Sequence, residues 1–359
     1  LDLALQRKAD SAVLVTVRDL ETRYKIERPL RLEGLLVVAE HKTGFVRALV
    51  GGRSYGETTF NRVLNMKRQV GSTFKPIVYL SAFLKGTDSK GVPYSGAYRI
   101  EDAPWTYKYE GGKVWKPKNY DPDFRGVIGL REAFINSVNI PLAKIGTEIG
   151  LDRIVETAKK LGIEEKLPEI PSLTLGSIEL SAMDLLIAYT TIANRGEHVE
   201  LTTVRSVVDF TGSPLARHVP QRGQVIEPKY LDLLGEFLKG VVQEGTAKSM
   251  AALGYTKAAR GKTGTTSFSR DAWFAGYSQG LTAVSWVGFE ELKIPSEEDE
   301  EAYRKFKSPA QLTGAGAALP IWVKLFSAAR PSKIEDPDPS PDGKLDASLE
   351  REKIDRSTG

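Results

Sequence analysis

The segment from Gln69 to Leu80 constrains this chain more than any other, because it places a hydroxyl and an amine at the start of a buried helix. Pro76 is tolerated only near the first turn of a helix, since deeper in the helix it would remove a backbone hydrogen bond. Gly71 suits a tight entry into that turn. The sequence therefore predicts a helix that begins close to Ser72, with apolar positions at Phe74, Ile77, Val78, Leu80, Ala82, Phe83 and Leu84.

Ser72 and Lys75 are three residues apart, the spacing at which helical side chains face each other. A serine hydroxyl becomes a good nucleophile when a nearby base takes its proton, and a desolvated lysine can act as that base. The helix dipole also favours negative charge at Ser72. The Ser-x-x-Lys pattern is weak by itself, because a helix N-terminus with a solvated lysine gives the same residues.

The composition excludes several classes of site. The chain has no cysteine, which excludes disulfides, thiol catalysis and cysteine metal ligands. Its three histidines, His41, His198 and His218, lie far apart in the sequence, so we expect no metal, no cofactor and no Ser-His-Asp triad. A formal charge of +4 is too balanced to indicate nucleic-acid binding, and no run of about 18 apolar residues is present to span a bilayer.

The order of predicted elements indicates an α/β (α+β) fold in which both ends of the chain complete one sheet. Two strands are predicted at 35–39 and 45–50, three more between 258 and 289, and a series of helices in the region between. The predicted divisions are a short helix and connector at 1–30, a main domain at 31–329 with a helical subdomain inserted at about 73–255, and a Pro/Asp-rich tail at 330–359.

Two further patterns occur in contexts that suit acyl transfer. Ser137 and Asn139 fall in a predicted loop between two helices, and Lys262 lies on a predicted strand. The Ser137 hydroxyl can pass a proton between Lys75 and a nitrogen atom, and the Asn139 amide can orient a lysine or hold a peptide carbonyl. Lys262 adds positive charge that favours a neutral Lys75 and attracts a carboxylate. With Ser72, these are the predicted catalytic residues.

The strand residues after this lysine are predicted to bind the substrate. Thr263 and Thr265 alternate along the strand, so their hydroxyls share one face. Gly264 between them is expected to leave the approach of a substrate unobstructed, and Thr266 is assigned to the same set. The backbone N–H groups of Ser72 and Thr265 are predicted to form an oxyanion hole.

Together these motifs resemble the transpeptidase domain of class A, bifunctional penicillin-binding proteins. The Ser-x-x-Lys, Ser-x-Asn and Lys-Thr-Gly set occurs in penicillin-binding proteins and class A β-lactamases. The resemblance runs from Leu1 to about Trp322. It includes four further segments: Trp115–Asn119, Leu175–Ser177, Gly245–Ala247 and Asp271–Tyr277.

The resemblance implies a fold and a reaction. The fold is that of penicillin-binding proteins and serine β-lactamases, with an antiparallel five-stranded sheet flanked by helices and an all-helical subdomain. In the implied reaction, Ser72 attacks the carbonyl between the last two D-alanines of a peptidoglycan stem peptide and releases D-alanine. The acyl group then passes to an amine on a neighbouring stem peptide. β-Lactam antibiotics acylate the same serine, and other cell-wall synthesis proteins are expected partners.

The resemblance also implies a location. The family's membrane anchor and glycosyltransferase domain precede the transpeptidase, and neither is present in this sequence, which starts at Leu1. We therefore expect an excised, extracytoplasmic part of an enzyme at the periplasmic face of the bacterial inner membrane. The anchor would lie outside this chain.

Three alternative functions share the motifs. A class A β-lactamase would hydrolyse the acyl-enzyme with a glutamate, and an asparagine four residues on, placed after the Ser-x-Asn element. Here Glu132 and Asn136 have that spacing but precede Ser137, and we expect Glu132 to be an exposed helix residue. A non-catalytic β-lactam sensor would keep the same motifs, and a carboxypeptidase differs only in using water as acceptor.

Overall fold

The computed structural model describes residues 1–27, 29–211, 213–290 and 308–329. The predicted tail at 330–359 lies outside these residues. The helices are α1 (Leu3–Tyr24), α2 (Arg62–Asn65), α3 (Lys75–Lys85), α4 (Leu130–Ile135), α5 (Ile140–Ile149), α6 (Leu151–Lys160), α7 (Ala182–Ala193), α8 (Pro228–Gln243) and α9 (Leu319–Ala328).

A central antiparallel sheet of five strands is built from both ends of the described chain, which confirms the predicted fold class. Its strands are β1 (Leu32–Glu40), β2 (Val46–Val50), β13 (Arg260–Thr265), β14 (Asp271–Ser278) and β15 (Leu281–Phe289). They lie in the order β13-β14-β15-β1-β2, so β13 forms one edge. The strand that carries Lys262 is thus an edge strand.

Helices cover both faces of this sheet, which is why β1, β14 and β15 are buried along their whole length. Phe274 of β14 packs against Trp322 of α9, with ring centroids 5.5 Å apart. Helices α1 and α9 also pack against each other, whereas α7 packs on β1, β14 and β15 from the opposite face. The sheet is therefore the middle layer between two sets of helices.

The N-terminal helix differs from the sequence prediction. The expected short helix is wrong, because α1 runs for 22 residues and Asp2 caps it by accepting a hydrogen bond from the Leu5 N–H. The buried stripe of α1 contains two alanines and a threonine among its larger residues, which obscures the hydrophobic periodicity in the sequence. Its buried residues are Leu5, Ala9, Ala12, Val13, Thr16, Val17 and Leu20. The division of the chain at residues 30 and 31 stays a prediction.

The region between β2 and β13 carries helices α2 to α8, and within the described residues it also contains five two-stranded sheets. Ser181 and Asp184 form a capping box at the start of α7. The strands of these small sheets are β3 (Arg68–Gln69), β4 (Arg99–Asp102), β5 (Tyr107–Tyr109), β6 (Lys113–Trp115), β7 (Gly126–Gly129), β8 (Glu179–Leu180), β9 (Glu197–Val199), β10 (Ser206–Val208), β11 (Pro214–Arg217) and β12 (Arg222–Gln224). Every helix in the described ranges is too short or too polar to cross a bilayer.

Candidate active site

Ser72 lies in a 3₁₀ turn, Gly71–Phe74, that leads directly into α3. In a 3₁₀ turn the side chains of residues i and i+3 eclipse one another, so this geometry places Ser72 above Lys75. Gly71 has φ +52°, and a Cβ atom there would lie only 2.8 Å from the Thr265 carbonyl oxygen. The glycine is therefore required for the close approach of the turn to the edge strand β13.

Long-range hydrogen bonds hold this turn in place. The Tyr189 hydroxyl on α7 donates to the Thr73 carbonyl oxygen at 2.9 Å, and the Trp273 indole N–H on β14 donates to the Gln69 carbonyl oxygen at 3.0 Å. All four residues are distant along the chain from their partners. The sheet and α7 together thus fix the position of the serine.

Lys75 is buried and its amine meets the Ser-x-Asn turn. Its Nζ atom lies 2.6 Å from the Ser137 carbonyl oxygen, 3.1 Å from the Ser137 Oγ and 2.6 Å from the Asn139 Oδ1. Burial, and secondly the charge of Lys262, lower the pKa of Lys75 well below its ordinary value. The structure therefore favours a neutral amine next to Ser72.

Lys262 reaches the same hydroxyl from β13. Its Nζ lies 3.0 Å from the Ser137 Oγ and 3.2 Å from the Thr263 carbonyl oxygen. Burial lowers the pKa of Lys262 to about 7. In the described part of the chain, neither Lys75 nor Lys262 forms an ion pair with a carboxylate, so two buried amines share one hydroxyl without a counter-charge.

Ser137 occupies a strained turn between α4 and α5. Its φ of +58° lies in the left-handed region, which a non-glycine residue seldom adopts. This conformation turns both the carbonyl oxygen and the hydroxyl of Ser137 toward Lys75. Strain of this kind is stored at functional sites when the surrounding contacts hold it.

Two of the predicted strand residues present their hydroxyls at the edge of β13. Thr263 Oγ1 lies 2.7 Å from Thr246 Oγ1, and Thr265 Oγ1 accepts a hydrogen bond from the Gly314 N–H at 3.1 Å. The N–H of Thr266 donates to the Asp271 carbonyl oxygen. Because bonded and non-bonded pairs alternate in an antiparallel ladder, the N–H of Thr265 points away from β14, toward the edge.

Thr266 does not belong to this cluster. Its hydroxyl accepts a hydrogen bond from the Asp271 N–H at 3.0 Å and lies 3.3 Å from the Asp271 carboxylate. It therefore closes the turn between β13 and β14, and the assignment of Thr266 to the substrate-binding set stays a prediction.

The motif residues Ser72, Lys75, Ser137, Asn139 and Lys262 thus converge on one side of β13. A family model described as the penicillin binding protein transpeptidase domain matches residues 34–295. The chain belongs to this family. The resemblance drawn from the motifs is confirmed.

Curated relatives cover the same region of sequence. Penicillin-binding protein 1B of Vibrio cholerae is 33% identical over 347 residues, which is 92% of this chain and 42% of that protein. Penicillin-binding protein 1A of Aquifex aeolicus is 34% identical over 298 residues, which is 81% of this chain and 37% of that protein. The chain spans about two fifths of the length of these relatives, which are class A proteins.

Solved structures confirm the fold. The penicillin-binding protein PonA1 of Mycobacterium tuberculosis superposes with a TM-score of 0.73 at 21% identity, over 91% of this chain and 83% of that chain. Penicillin-binding protein 1A of Haemophilus influenzae superposes with a TM-score of 0.72 at 24% identity, over 85% of this chain and 48% of that chain.

Gly264 has a packing role in this transpeptidase domain. A Cβ atom at Gly264 would lie 2.8 Å from the Val70 carbonyl oxygen and 2.8 Å from the Thr73 Cγ2. The glycine therefore allows β13 to pack against the turn that carries Ser72. The expectation that it keeps the substrate's approach open stays a prediction.

This packing predicts that Gly264→Ala destabilises the domain. The added methyl group meets backbone and side-chain atoms that have little room to move, so the free energy of unfolding should fall by about 1–3 kcal/mol, as is typical of overpacking. Gly223→Ala is the matched control, because a Cβ atom at Gly223 meets nothing within 4 Å. Denaturant titration of both variants checks the prediction, and equal stability of the two would contradict it.

Three residues of the site were missed by sequence reasoning. Thr246 and Asn119 lie within segments that carry the family resemblance, but their spacing indicates no role by itself. Thr246 contacts the Thr263 hydroxyl, and Asn119 contacts the backbone of Asn139. Asp102, which bonds to Asn119, has no sequence signal that we recognise.

The Glu132 side chain is exposed on α4, as expected. Asn136 follows one turn later and its amide donates to the Glu132 carbonyl oxygen at 3.1 Å. This pair belongs to the C-terminal turn of a helix. It offers no carboxylate to the amines of Lys75 and Lys262.

Proposed function

We propose that this domain is a serine DD-transpeptidase that cross-links peptidoglycan stem peptides through an acyl-enzyme on Ser72 and reacts covalently with β-lactams. The observation that carries the proposal is the pair of buried amines, Lys75 and Lys262, that share the Ser137 hydroxyl without a carboxylate. One amine of such a pair is strongly favoured to be neutral at physiological pH. A neutral amine beside a serine is the arrangement that a base-activated nucleophile requires.

In the proposed acylation step, Lys75 acts as general base. The Ser137 carbonyl and the Asn139 Oδ1, both at 2.6 Å, accept the two N–H bonds of a neutral amine and leave its lone pair for a hydroxyl proton. The Ser72 proton passes to Lys75 as Oγ bonds to the carbonyl carbon of the penultimate D-alanine. Collapse of the tetrahedral intermediate breaks the C–N bond, and the leaving D-alanine amine takes a proton through the Ser137 hydroxyl.

Transfer to the acceptor runs the same proton path in reverse. The amine of a second stem peptide attacks the Ser72 ester, and its proton leaves through Ser137 and Lys75. The ester C–O bond breaks, and the Ser72 oxygen regains its proton. Peptide cross-link and free enzyme are the products, so bonds and protons balance.

The developing oxyanion would bind at the N-terminus of the nucleophile turn. The backbone of Gly71 closely approaches that of Thr265, whose N–H faces away from β14. The N–H groups of Ser72 and Thr265 are the proposed donors. Backbone donors that are held in place before the reaction need no reorganisation as charge develops.

The free carboxylate of the substrate would bind to the hydroxyls of Thr263 and Thr265, with Lys262 supplying positive charge behind them. Gly264 lies between the two threonines and contributes only backbone to this edge. A β-lactam carboxylate would take the same place. The expected ligands are therefore stem peptides that end in D-Ala-D-Ala and β-lactam antibiotics, with no metal and no cofactor.

Mass spectrometry after treatment with penicillin tests the proposal directly. The expected result is a single covalent adduct on the peptide that contains Ser72. An adduct on any other residue, or none, would overturn the assignment. Transfer of the acyl group to an added D-amino acid then identifies a transpeptidase. A carboxypeptidase and a β-lactamase would pass the acyl group to water alone, and a non-catalytic sensor would pass it to no acceptor.

The parent protein is proposed to work outside the cytoplasm. Peptidoglycan stem peptides are located at the outer face of the inner membrane, so the domain would be held there by an anchor outside the described chain. A glycosyltransferase domain and contacts with other cell-wall synthesis proteins are proposed for the parent on the class A resemblance.

Lys262→Ala should weaken carboxylate recognition more than it affects folding. The loss of a charge-assisted contact, worth about 1.5–3 kcal/mol, should raise the noncovalent dissociation constant for a penicillin roughly 10- to 100-fold. Because the pKa of Lys262 is about 7, the wild-type affinity should fall as the pH rises through 7, and the variant should lose that dependence. Saturation kinetics of acylation give the constant.

Lys257→Ala is the matched control, since Lys257 is an exposed lysine just before β13. It should leave the dissociation constant and its pH dependence unchanged. If Lys262→Ala unfolds while Lys257→Ala does not, the role of Lys262 is structural and the prediction is wrong.

A further inference from the structure

We propose that Asp102 and Asn119 are positioning residues that hold the Ser-x-Asn turn against Lys75. This inference rests on the proposed function, since it assigns the pair to the acylation step. Neither side chain contacts Lys75 directly. They act through the backbone of Asn139, and the contacts form a continuous chain.

The first link is a buried carboxylate. Asp102, at the end of β4, is completely inaccessible to solvent. Its Oδ1 accepts a hydrogen bond from the Asn119 Nδ2 at 2.8 Å, and its Oδ2 accepts one from the Arg125 N–H at 3.0 Å. A carboxylate accepts hydrogen bonds only, so it fixes which end of the Asn119 amide faces it.

The second link joins Asn119 to the start of α5. With its nitrogen committed to Asp102, the Asn119 amide presents Oδ1 to the N–H groups of Asn139 at 3.0 Å and Ile140 at 3.1 Å. The first N–H groups of a helix have no partner within the helix. The Asn139 side chain does not cap α5 itself. Asn119 therefore caps the helix from a different segment of the chain.

The third link reaches the amine. Because α5 is capped by Asn119, the Asn139 side chain is available for Lys75, whose Nζ donates to its Oδ1 at 2.6 Å. The Asn139 Nδ2 donates to the Lys118 carbonyl oxygen at 2.8 Å, which fixes Oδ1 as the acceptor. Residues 118 and 119 thus hold both the backbone and the side chain of Asn139. Loss of this hold would let the Lys75 amine shift relative to Ser72.

Exchange of the two side chains tests this chain of contacts. In Asn119→Asp two carboxylates face each other, and in Asp102→Asn one donor must face another donor. In the double variant Asp102→Asn/Asn119→Asp, the amide at 102 donates to the carboxylate at 119 and accepts from the Arg125 N–H. The carboxylate still accepts from the N–H groups of α5. Every hydrogen bond of the wild-type pair is therefore restored, and only the bond between positions 102 and 119 has its donor and acceptor exchanged.

The measurement is acylation of the domain by a fluorescent penicillin. It gives the rate constant of acylation for the molecules that can be labelled and, separately, the noncovalent dissociation constant of the penicillin. Rates are compared on the high-pH plateau, because the exchange moves a negative charge toward Lys75. We expect each single variant to lower the rate constant roughly 10- to 100-fold, the range that misplaced catalytic groups produce. The dissociation constant should stay unchanged, and the double variant should recover most of the rate.

The control is Asn61→Asp, which makes the same amide-to-carboxylate change at the cap of α2, where Asn61 accepts from the Val63 N–H. It should not alter the rate constant. If the pair is merely structural, the variants should have a lower melting temperature and a smaller fraction of molecules that can be labelled. The rate constant of the molecules that are labelled would stay the same, and that result overturns the proposal. Slow single variants without recovery in the double variant also overturn it. If the wild type is not acylated at all, the proposed function itself fails, and this inference fails with it.

Discussion

Ser72→Ala should abolish covalent labelling of this domain by a fluorescent penicillin. The chain has no cysteine to replace the lost nucleophile. The Ser137 hydroxyl, the other serine hydroxyl of the cluster, lies within hydrogen-bond distance of two amines at 3.1 and 3.0 Å. Its oxygen accepts from Lys262, and in the proposed proton path it lies between Lys75 and the leaving group and not at the carbonyl carbon. Gel fluorescence with intact-mass analysis gives the measurement.

Two variants complete this test. Ser89→Ala changes an exposed serine in the loop after α3 and should label like the wild type. Ser137→Ala should slow labelling yet still give its adduct on Ser72, because it removes the proton path to the leaving group and keeps the nucleophile. Labelling of Ser72→Ala at Ser137, or at any other residue, would show that Ser72 is not the nucleophile.

The parts of the fold and site that the sequence predicts are those encoded locally. The helix after Ser72 is marked by the position of Pro76 and by dense apolar residues, and it begins where predicted. The last three strands follow from short runs of β-branched and aromatic residues separated by turns, and β13 to β15 confirm them. The motif residues converge because the turn before α3 packs against β13 and both lysines reach Ser137.

What the sequence missed depends on contacts between distant segments. Gly264 packs against Val70 and Thr73. These two residues precede nearly the whole helical region in sequence, whereas Gly264 follows it. Asp102 is recognisable only once β4 brings its carboxylate to Asn119. No periodicity or local spacing encodes such pairs, because each residue taken alone is compatible with an ordinary loop or strand position.

Lys75→Ala should slow acylation by about 10²- to 10⁴-fold, the usual contribution of a general base. Noncovalent binding of the penicillin should change little, because the carboxylate is expected at Thr263 and Thr265. The wild-type rate should rise with pH as Lys75 loses its proton. Since burial and Lys262 lower the pKa of Lys75 well below its ordinary value, the rise should lie far to the acid side of a normal lysine titration. The variant should lose this rise.

Lys75→Arg separates the base from the charge. A guanidinium keeps the positive charge at the N-terminal turn of α3 but does not release a proton in proteins, so it leaves no lone pair to accept one from Ser72. It should therefore be as slow as alanine, whereas a purely electrostatic role for Lys75 would let arginine restore the rate. Lys85→Ala, at the last residue of the same helix, should match the wild type. If Lys75→Ala keeps the wild-type rate and pH profile, another group removes the serine proton, and the buried pair of amines has to be explained by substrate binding alone.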